Sequence, residues 1–153
     1  MDLSKILDSL FLSDLESACN RDLIEEYKIK HIISILNSDT DILRIRSIHK
    51  DVNILHIDIA DTEETNINRY FGHTYFFIER AIERGENVLV HCRGGISRSP
   101  TIIAAYLIRK YHMNVFSALA HIGYIRICID PNLSFTRQLE RCHRKMLIHS
   151  KKN

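Results

Sequence analysis

A ten-residue segment, His91–Pro100, places a cysteine and an arginine six positions apart, with two glycines between them. The apolar run Val88–Val90 comes directly before it, so a strand would deliver Cys92 into a glycine-containing turn. If a helix follows, the backbone N–H groups of the turn converge on a site for a tetrahedral oxyanion. The same dipoles favour a thiolate, and the planar guanidinium of Arg98 can bind two phosphate oxygens. The segment therefore predicts a phosphate-binding loop with a nucleophile at its base.

Other residues of this segment have separate mechanical roles. Gly95 allows a positive φ angle or a close approach of the backbone to the phosphate. Ser99 can offer its hydroxyl to the sulfur, and Pro100 suits the first turn of a helix, where a missing N–H costs nothing. The predicted phosphate-binding residues are Arg93, Gly94, Gly95, Ile96, Ser97 and Arg98. The alternative is a buried strand that ends in an inert cysteine, and the full pattern makes this the weaker interpretation.

Composition and charge limit the class of protein. The chain has 153 residues, of which 45% are hydrophobic and 26% charged, as is typical of one soluble globular domain. The net charge of +2 gives no reason to expect a nucleic-acid or membrane partner. The four cysteines form no Cys-x2-Cys pair, and no signal peptide or membrane-spanning run is visible. We therefore expect an intracellular protein, in the cytoplasm or also in the nucleus, where thiols stay reduced.

Strands alternate with helices along the chain, which favours a single α/β domain with a central, mostly parallel sheet of about five strands flanked by helices. The predicted strands are a short first strand marked by Ile6 and Leu10–Leu12, then His31–Leu36, Val52–Ile57 and the central strand Val88–His91. The predicted helices are Arg21–Tyr27 after an Asn20 cap, a long helix from an Asn66 cap through Arg84 to a stop at Gly85, Ser99–Tyr111, Val115–Arg126 and Leu133–Ile148. The domain is expected to span residues 1–149, followed by a frayed tail at 150–153.

The reaction needs a proton donor, because a thiolate that attacks a phosphate monoester expels an alkoxide or phenoxide. The segment His56–Asn66 supplies four carboxylates between a strand and a helix. Asp61 is the preferred acid, since Asp58 lies close to the end of the strand. Glu63 and Glu64 lie nearer the following helix, where acids interact favourably with its dipole. Asp58 remains the alternative.

With the loop, the acid segment and the order of elements in place, the chain resembles the small (atypical) dual-specificity phosphatases of the cysteine-dependent protein tyrosine phosphatase superfamily. The resemblance covers nearly the whole chain, and it supports Asp61 over Asp58 as the acid. The segments that carry it are Leu10–Ser13, Ile29–Asn37, Ala60–Thr62, Asn66–Phe71, His91–Pro100, Ala104–Leu107, Arg126, Pro131–Asn132 and Phe135–Leu139.

The resemblance implies a role for each catalytic residue. Cys92 is the nucleophile, Arg98 binds the phosphate, and Asp61 acts first as acid and then as base. Ser99 assists the departure of the thiolate, while His91 holds the cysteine in position. The implied function is hydrolysis of phosphotyrosine and phosphoserine or phosphothreonine in proteins, through a cysteinyl-phosphate intermediate and with no metal or cofactor.

Arg126 is expected at the rim of the substrate site, where it or Arg93 meets substrate phosphate or acidic flanking residues. Ile125 stands where relatives often have a basic residue, which puts a preference for doubly phosphorylated peptides in question. Gly94 stands where relatives usually carry a side chain, which would loosen the loop.

Two alternative functions remain open at this stage. The first is the same chemistry on a phosphoinositide or an RNA 5′-phosphate. The second is a non-catalytic decoy that binds phosphoproteins. The expected partners are phosphorylated proteins or peptides, without nucleic acid or membrane, and the expected oligomeric state is a monomer.

Overall fold

The computed structural model describes residues 2–152. The strands are β1 (Ser4–Leu7), β2 (Leu10–Ser13), β3 (Ile29–Ile35), β4 (Asn53–Ile57) and β5 (Asn87–His91). They form one sheet in the order β1-β2-β5-β3-β4, in which β1 runs antiparallel to β2 and all other neighbours are parallel. This confirms the predicted five-stranded, mostly parallel sheet, and β5 is its central strand.

Helices cover both faces of the sheet. They are α1 (Leu15–Ala18), α2 (Arg21–Glu26), α3 (Asp39–Ile48), α4 (Phe71–Glu83), α5 (Arg98–Tyr111), α6 (Val115–Ile125) and α7 (Leu133–Lys152). A 3-10 turn, Ile67–Tyr70, comes directly before α4. Within the described residues, no helix is long and apolar enough to cross a bilayer.

The side chains of β5 alternate between two hydrophobic cores. Val88 and Val90 pack into the core that α4, α5, α6 and α7 cover. Leu89 packs into the core under α1, α2 and α3 and is 0% exposed. Because both faces of the strand are buried, its sequence is a continuous apolar run rather than an alternating one. The central strand is therefore held from two sides up to the residue before the cysteine.

The N-terminal prediction was wrong in one respect. The expected single first strand is two strands, β1 and β2, joined by a turn at Asp8 and Ser9. These two polar residues interrupt the apolar run and make a tight reversal, which two-residue hairpin loops favour. β2 is then free to pair in parallel with β5, from Leu10 opposite Val88 to Ser13 opposite His91.

Two helices were not predicted. The helix α3 has only two buried residues, Ile42 and Ile45, so its apolar periodicity is weak. A start signal is nevertheless present, because the Ser38 side chain accepts a hydrogen bond from the N–H of Asp41. The short α1 is capped in the same way by Asp14.

Helix boundaries were predicted with mixed success. The Asn20 side chain caps α2 as expected, with a 3.1 Å bond from the N–H of Leu23, and Gly85 ends α4 with a φ of +67°. The Asn66 cap was wrong, since its side chain makes no capping bond and a 3-10 turn follows it. The predicted end of the last helix at Ile148 was also wrong, because α7 continues to Lys152 with no glycine or proline to interrupt it. The frayed tail at 150–153 stays a prediction. Asn153 lies outside the described residues.

The two-sided packing of β5 leads to a prediction about stability. Leu89→Ala leaves a cavity in a fully buried site, so we expect the free energy of unfolding to fall by about 2–5 kcal/mol. Leu43→Ala is the matched control on the exposed side of α3, where Leu43 is 64% exposed, and we expect a change below about 0.5 kcal/mol. Urea denaturation of both variants measures the difference. Equal losses would contradict this account of the core.

Candidate active site

A row of buried polar residues crosses the carboxyl ends of three strands. Ser13 of β2 and Ser34 of β3 lie on either side of His91 of β5, in register with it. The Nδ1–H of His91 donates to the carbonyl of Cys92 at 3.0 Å, so Nε2 accepts from the Ser34 hydroxyl at 2.7 Å. Burial lowers the pKa of His91 to about 4, which agrees with a neutral ring. The ring thus ties the backbone at Cys92 to the neighbouring strand.

Cys92 is the first residue after β5 and is 2% exposed. Its Sγ accepts the N–H of Gly95 at 3.2 Å and lies 3.1 Å from the Oγ of Ser99. Both partners can donate a hydrogen bond to the sulfur. The structure therefore places the predicted nucleophile and the predicted serine in direct contact.

The guanidinium of Arg126 holds the signature loop, defined as residues 92–98, from its outer side. Its Nε donates to the carbonyl of Gly95 at 2.9 Å and its Nη2 to the carbonyl of Gly94 at 3.2 Å. Its Nη1 lies 3.4 Å from the Oγ of Ser4. Arg126 therefore lies against the loop backbone, and its direct contact with substrate stays a prediction.

Backbone donors hold the neighbouring carbonyls of the signature loop in the same way. The N–H of Leu15 donates to the carbonyl of Arg93 at 3.0 Å, and the N–H of Asp130 donates to the carbonyl of Ile96 at 2.7 Å. Because a trans peptide unit is planar, an outward carbonyl turns the next N–H inward. Inward N–H groups that bond to no described residue are those of Gly94, Ile96 and Ser97. Together with the N–H of Gly95 they form a concave set of donors suited to an oxyanion.

Gly95 has a conformation that only glycine accepts at this position. Its φ is +65°, and a Cβ atom would lie 2.6 Å from Nη2 of Arg126 and 2.7 Å from the carbonyl oxygen of Ser13. The first feature disfavours any L side chain, and the second leaves no space for one. Gly95 thus allows the chain to turn beneath the phosphate position, as the sequence predicts.

Arg98 is the first residue of the 14-residue helix α5 and is 7% exposed. Its Nη1 donates to Oδ1 of Asn37 and to the carbonyl of Ile59, both at 3.0 Å. Its buried Nε has no partner among the described residues. A buried donor without a partner costs free energy, so it marks a place where a ligand would supply the acceptor. The N-terminus of α5 adds a positive partial charge at the same place.

Asp61 lies in contact with the signature loop. Its Oδ1 accepts from the Oγ of Ser97 at 2.8 Å and from Nδ2 of Asn132 at 2.8 Å. The alternative acid, Asp58, is exposed, and its side chain makes no hydrogen bond to any described residue. The structure therefore brings Asp61, rather than Asp58, to the loop.

The acid segment that carries Asp61 is fastened to the start of α7. The N–H of Ser134 donates to Oε2 of Glu63 at 2.8 Å. The side chain of Gln138 donates to the carbonyl of Thr65 and accepts the N–H of Asn68. These bonds hold the acid segment in place by contacts that are distant in sequence.

Two site residues were missed as functional residues by sequence reasoning, namely Asn37 and Asn132. Asn37 orients Arg98 and Asn132 orients Asp61. A signal for Asn37 is present, since it follows β3 and the carboxyl ends of parallel strands meet at one edge of the sheet. Asn132 was noticed only as part of the resemblance, and nothing local to it indicates a contact with Asp61.

The other cysteines do not belong to this site. Burial raises the pKa of the Cys19 and Cys142 thiols, which keeps them protonated and unreactive. Cys128 is exposed, and all four cysteines are free. Among residues 2–152, no group of three or more histidine, cysteine or acidic side chains is placed to hold a metal ion.

The arrangement has the parts that covalent phosphoryl transfer needs. The sulfur of Cys92 is bonded to a loop N–H, Arg98 has a free buried donor at the start of α5, and the carboxylate of Asp61 is bonded to Ser97 of the loop. Such a site stabilises charge on the phosphoryl oxygens by position and by fixed dipoles.

Comparison with known proteins identifies the family. Residues 10–145 match the model of the dual specificity phosphatase catalytic domain. Dual specificity protein phosphatase 1 of Arabidopsis thaliana is 34% identical over 146 residues, which cover 95% of this chain and 71% of that protein. Dual specificity protein phosphatase 22 of Homo sapiens is 33% identical over 138 residues, which cover 90% and 72%.

A solved structure shows the same fold. The human tyrosine phosphatase-like serine/threonine/tyrosine-interacting protein superposes with a TM-score of 0.88 and 34% identity, covering 95% of this chain and 98% of its own. The chain therefore belongs to the dual specificity phosphatase family. It is a protein phosphatase by family and fold, and the cysteinyl-phosphate mechanism follows from that membership.

The buried His91 ring leads to a prediction about pH. Its folded pKa of about 4 is below the ordinary value of 6.5, so its contribution to stability is complete above about pH 6.5 and is lost as the pH falls towards 4. We expect this loss to reach roughly 3 kcal/mol. The measurement is the free energy of unfolding from pH 7 to 4, compared with His91→Gln, which lacks this dependence.

The matched control is His149→Gln, because His149 is exposed on α7. It should keep the slope of the unmodified protein. If His91→Gln also kept that slope, the buried neutral ring would be contradicted.

Proposed function

We propose that Cys92, Arg98, Asp61, Ser99 and His91 carry the phosphatase reaction on phosphotyrosine and phosphoserine or phosphothreonine in proteins. The observation that supports this most is the loop backbone, whose carbonyls are held outward so that N–H groups converge above Sγ. A phosphoryl group seated there accepts these donors and the free Nε of Arg98. The proposed catalytic domain spans residues 1–149.

In the first step, Sγ of Cys92 attacks phosphorus in line with the ester oxygen. The S–P bond forms as the P–O bond breaks, and Asp61 gives its proton to the leaving oxygen. Two donors already occupy Oδ1 of Asp61, so the transferable proton belongs on Oδ2. Ser97 and Asn132 thus orient the acid.

In the second step, water attacks the cysteinyl-phosphate. The carboxylate of Asp61 takes the proton of the water, the S–P bond breaks, and inorganic phosphate leaves. The hydroxyl of Ser99 and the N–H of Gly95 donate to the departing sulfur, which lowers the energy of the thiolate. Arg98 and the loop amides act on the equatorial oxygens in both steps.

The proposal also covers the location of the protein in the cell, its partners and its oligomeric state. Four free cysteines suit a reducing intracellular environment, in the cytoplasm or also the nucleus. The proposed partners are phosphorylated proteins or peptides, and the proposed state is a monomer without nucleic-acid or membrane partners. A binding decoy has no need of an acid fixed at the loop, and the contacts of Asp61 therefore favour an enzyme.

The nucleophile is tested by Cys92→Ser. We expect this variant to lose turnover of p-nitrophenyl phosphate but to keep binding of a phosphotyrosine peptide, because the loop donors remain. Initial rates and isothermal titration measure the two properties. Cys128→Ser is the matched control and should keep full activity, since the exposed Cys128 side chain makes no hydrogen bond to the signature loop. Substantial turnover by Cys92→Ser would refute the assignment.

The acid is tested by comparing Asp61→Asn with Asp58→Asn. Loss of the general acid slows substrates with poor leaving groups by about 10²–10⁴-fold, whereas activated aryl phosphates suffer less. We expect this pattern in kcat for phosphopeptides against p-nitrophenyl phosphate in Asp61→Asn. If Asp58→Asn shows the pattern instead, Asp58 is the acid.

A further inference from the structure

The mouth of the site has an unusual balance of charge. The mouth is defined here as the segments that border the signature loop, namely residues 13–14, 37–41, 58–64 and 126–134. Although the whole chain has a net charge of +2, these segments are rich in carboxylates, which are Asp14, Asp39, Asp41, Asp58, Asp61, Glu63, Glu64 and Asp130. Their only cation is Arg126. The catalytic face is therefore acidic on a protein that is basic elsewhere.

Each cation of the mouth and the signature loop is already assigned to the phosphoryl group or bonded to another residue. Arg98 is 7% exposed and its free Nε marks the phosphoryl position. Arg126 binds the loop carbonyls. Arg93 is exposed, and its Nη1 lies 3.3 Å from Oδ2 of Asp41. An acidic group on the substrate would have to compete with these partners.

Three carboxylates of the mouth, in contrast, have no partner among the described residues. Asp39, Asp58 and Asp130 are exposed, and their side chains make no hydrogen bond or ion pair with any residue from 2 to 152. Asp39 and Asp58 both lie in segments that bind Nη1 of Arg98. Asp39 is two residues from Asn37, which binds Arg98, and Asp58 precedes Ile59, whose carbonyl binds Arg98.

The third carboxylate, Asp130, lies at a different part of the loop, beside Ile96. The backbone N–H of Asp130 is bonded to the carbonyl of Ile96, so this residue is fixed beside the loop. Glu64 also belongs to the mouth, but it shares a cleft with Arg141 and Lys145 of α7, which offset its charge. Among residues 2–152, the carboxylates without a partner in the segments that border the loop are therefore Asp39, Asp58 and Asp130, whereas Arg93 of the loop is paired with Asp41.

We infer that this phosphatase selects phosphorylated segments with lysine or arginine next to the phosphoresidue, and discriminates against acidic or multiply phosphorylated ones. The inference rests on the proposed function and names its substrate class. The dianionic phosphoryl group is bound by the buried donors, while basic flanking side chains meet the exposed carboxylates. It differs from the expectation that Arg93 or Arg126 meets acidic flanks, because Arg126 is bonded to the loop carbonyls and Arg93 is paired with Asp41.

The size of the effect follows from the exposure of these carboxylates. Exposed ion pairs are weak, and each contributes up to about five-fold in an equilibrium or rate ratio. Two basic flanking residues replaced by two acidic ones should then change kcat/KM by about ten-fold at low salt. Screening shortens the range of the field from about 30 Å at 0.01 M ionic strength to about 3 Å at 1 M, so the preference should disappear at high salt.

The test uses three synthetic phosphotyrosine peptides with one alanine-rich scaffold, flanked by two lysines, two alanines or two glutamates. We expect kcat/KM to fall in that order at about 0.01 M ionic strength and to converge at about 1 M. The double variant Asp39→Asn with Asp130→Asn should lower the ratio of lysine to glutamate peptide several-fold. The ratio within one enzyme cancels any change in folding or basal activity.

The matched control is Asp22→Asn with Asp51→Asn, which removes the same charge from exposed positions at the opposite edge of the sheet. It should keep the ratio of the unmodified protein. Equal turnover of the three peptides, preference for the glutamate peptide, or a ratio that the mouth variant does not change would each overturn the inference alone. Failure to hydrolyse any of the three would overturn the proposed function as well.

Discussion

The site depends on one constraint, which is that the carbonyl groups of the signature loop point away from its centre. A free backbone would expose carbonyls and amides alike, and the carbonyls would repel an oxyanion. Here Arg126 binds two of them, and the amides of Leu15 and Asp130 bind two more. The inward amides that result bind anions without any charged side chain. Gly95 makes this path possible, because no Cβ fits between Arg126 and the strand behind it.

The rest of the fold holds the signature loop and the acid segment in fixed positions. β5 is buried on both faces, and His91 at its end is joined to β3 through Ser34. A buried polar pair is stable only when its hydrogen bonds are made, so its geometry is well specified. The acid segment is fixed from the other direction by Asn132 at the start of α7. Three separate parts of the chain thus meet around one phosphoryl position, and the electrostatic field at that position comes from all of them.

Much of the fold was predictable because it depends on local patterns. The run Val88–Val90 indicates a strand buried on both faces, and Asn20 and Gly85 have cap and stop chemistry that acts within a few residues. The hairpin at Asp8 and the helix α3 were missed, since a short apolar run does not show where it reverses and a helix with few buried residues has little periodicity.

The chemistry was predictable from residues 92–98 alone, because the proposed nucleophile, the glycine and the arginine lie within one short loop and their spacing specifies its shape. The contacts that hold Asp61 at the loop, which Asp58 does not make, depend on tertiary structure, since both acids lie in one segment and Asn132 approaches from 71 residues away. The bonds from Arg126 to the loop carbonyls are tertiary contacts of the same kind. Contacts between distant segments depend on how the helices pack, and the spacing of residues along the chain does not predict this packing.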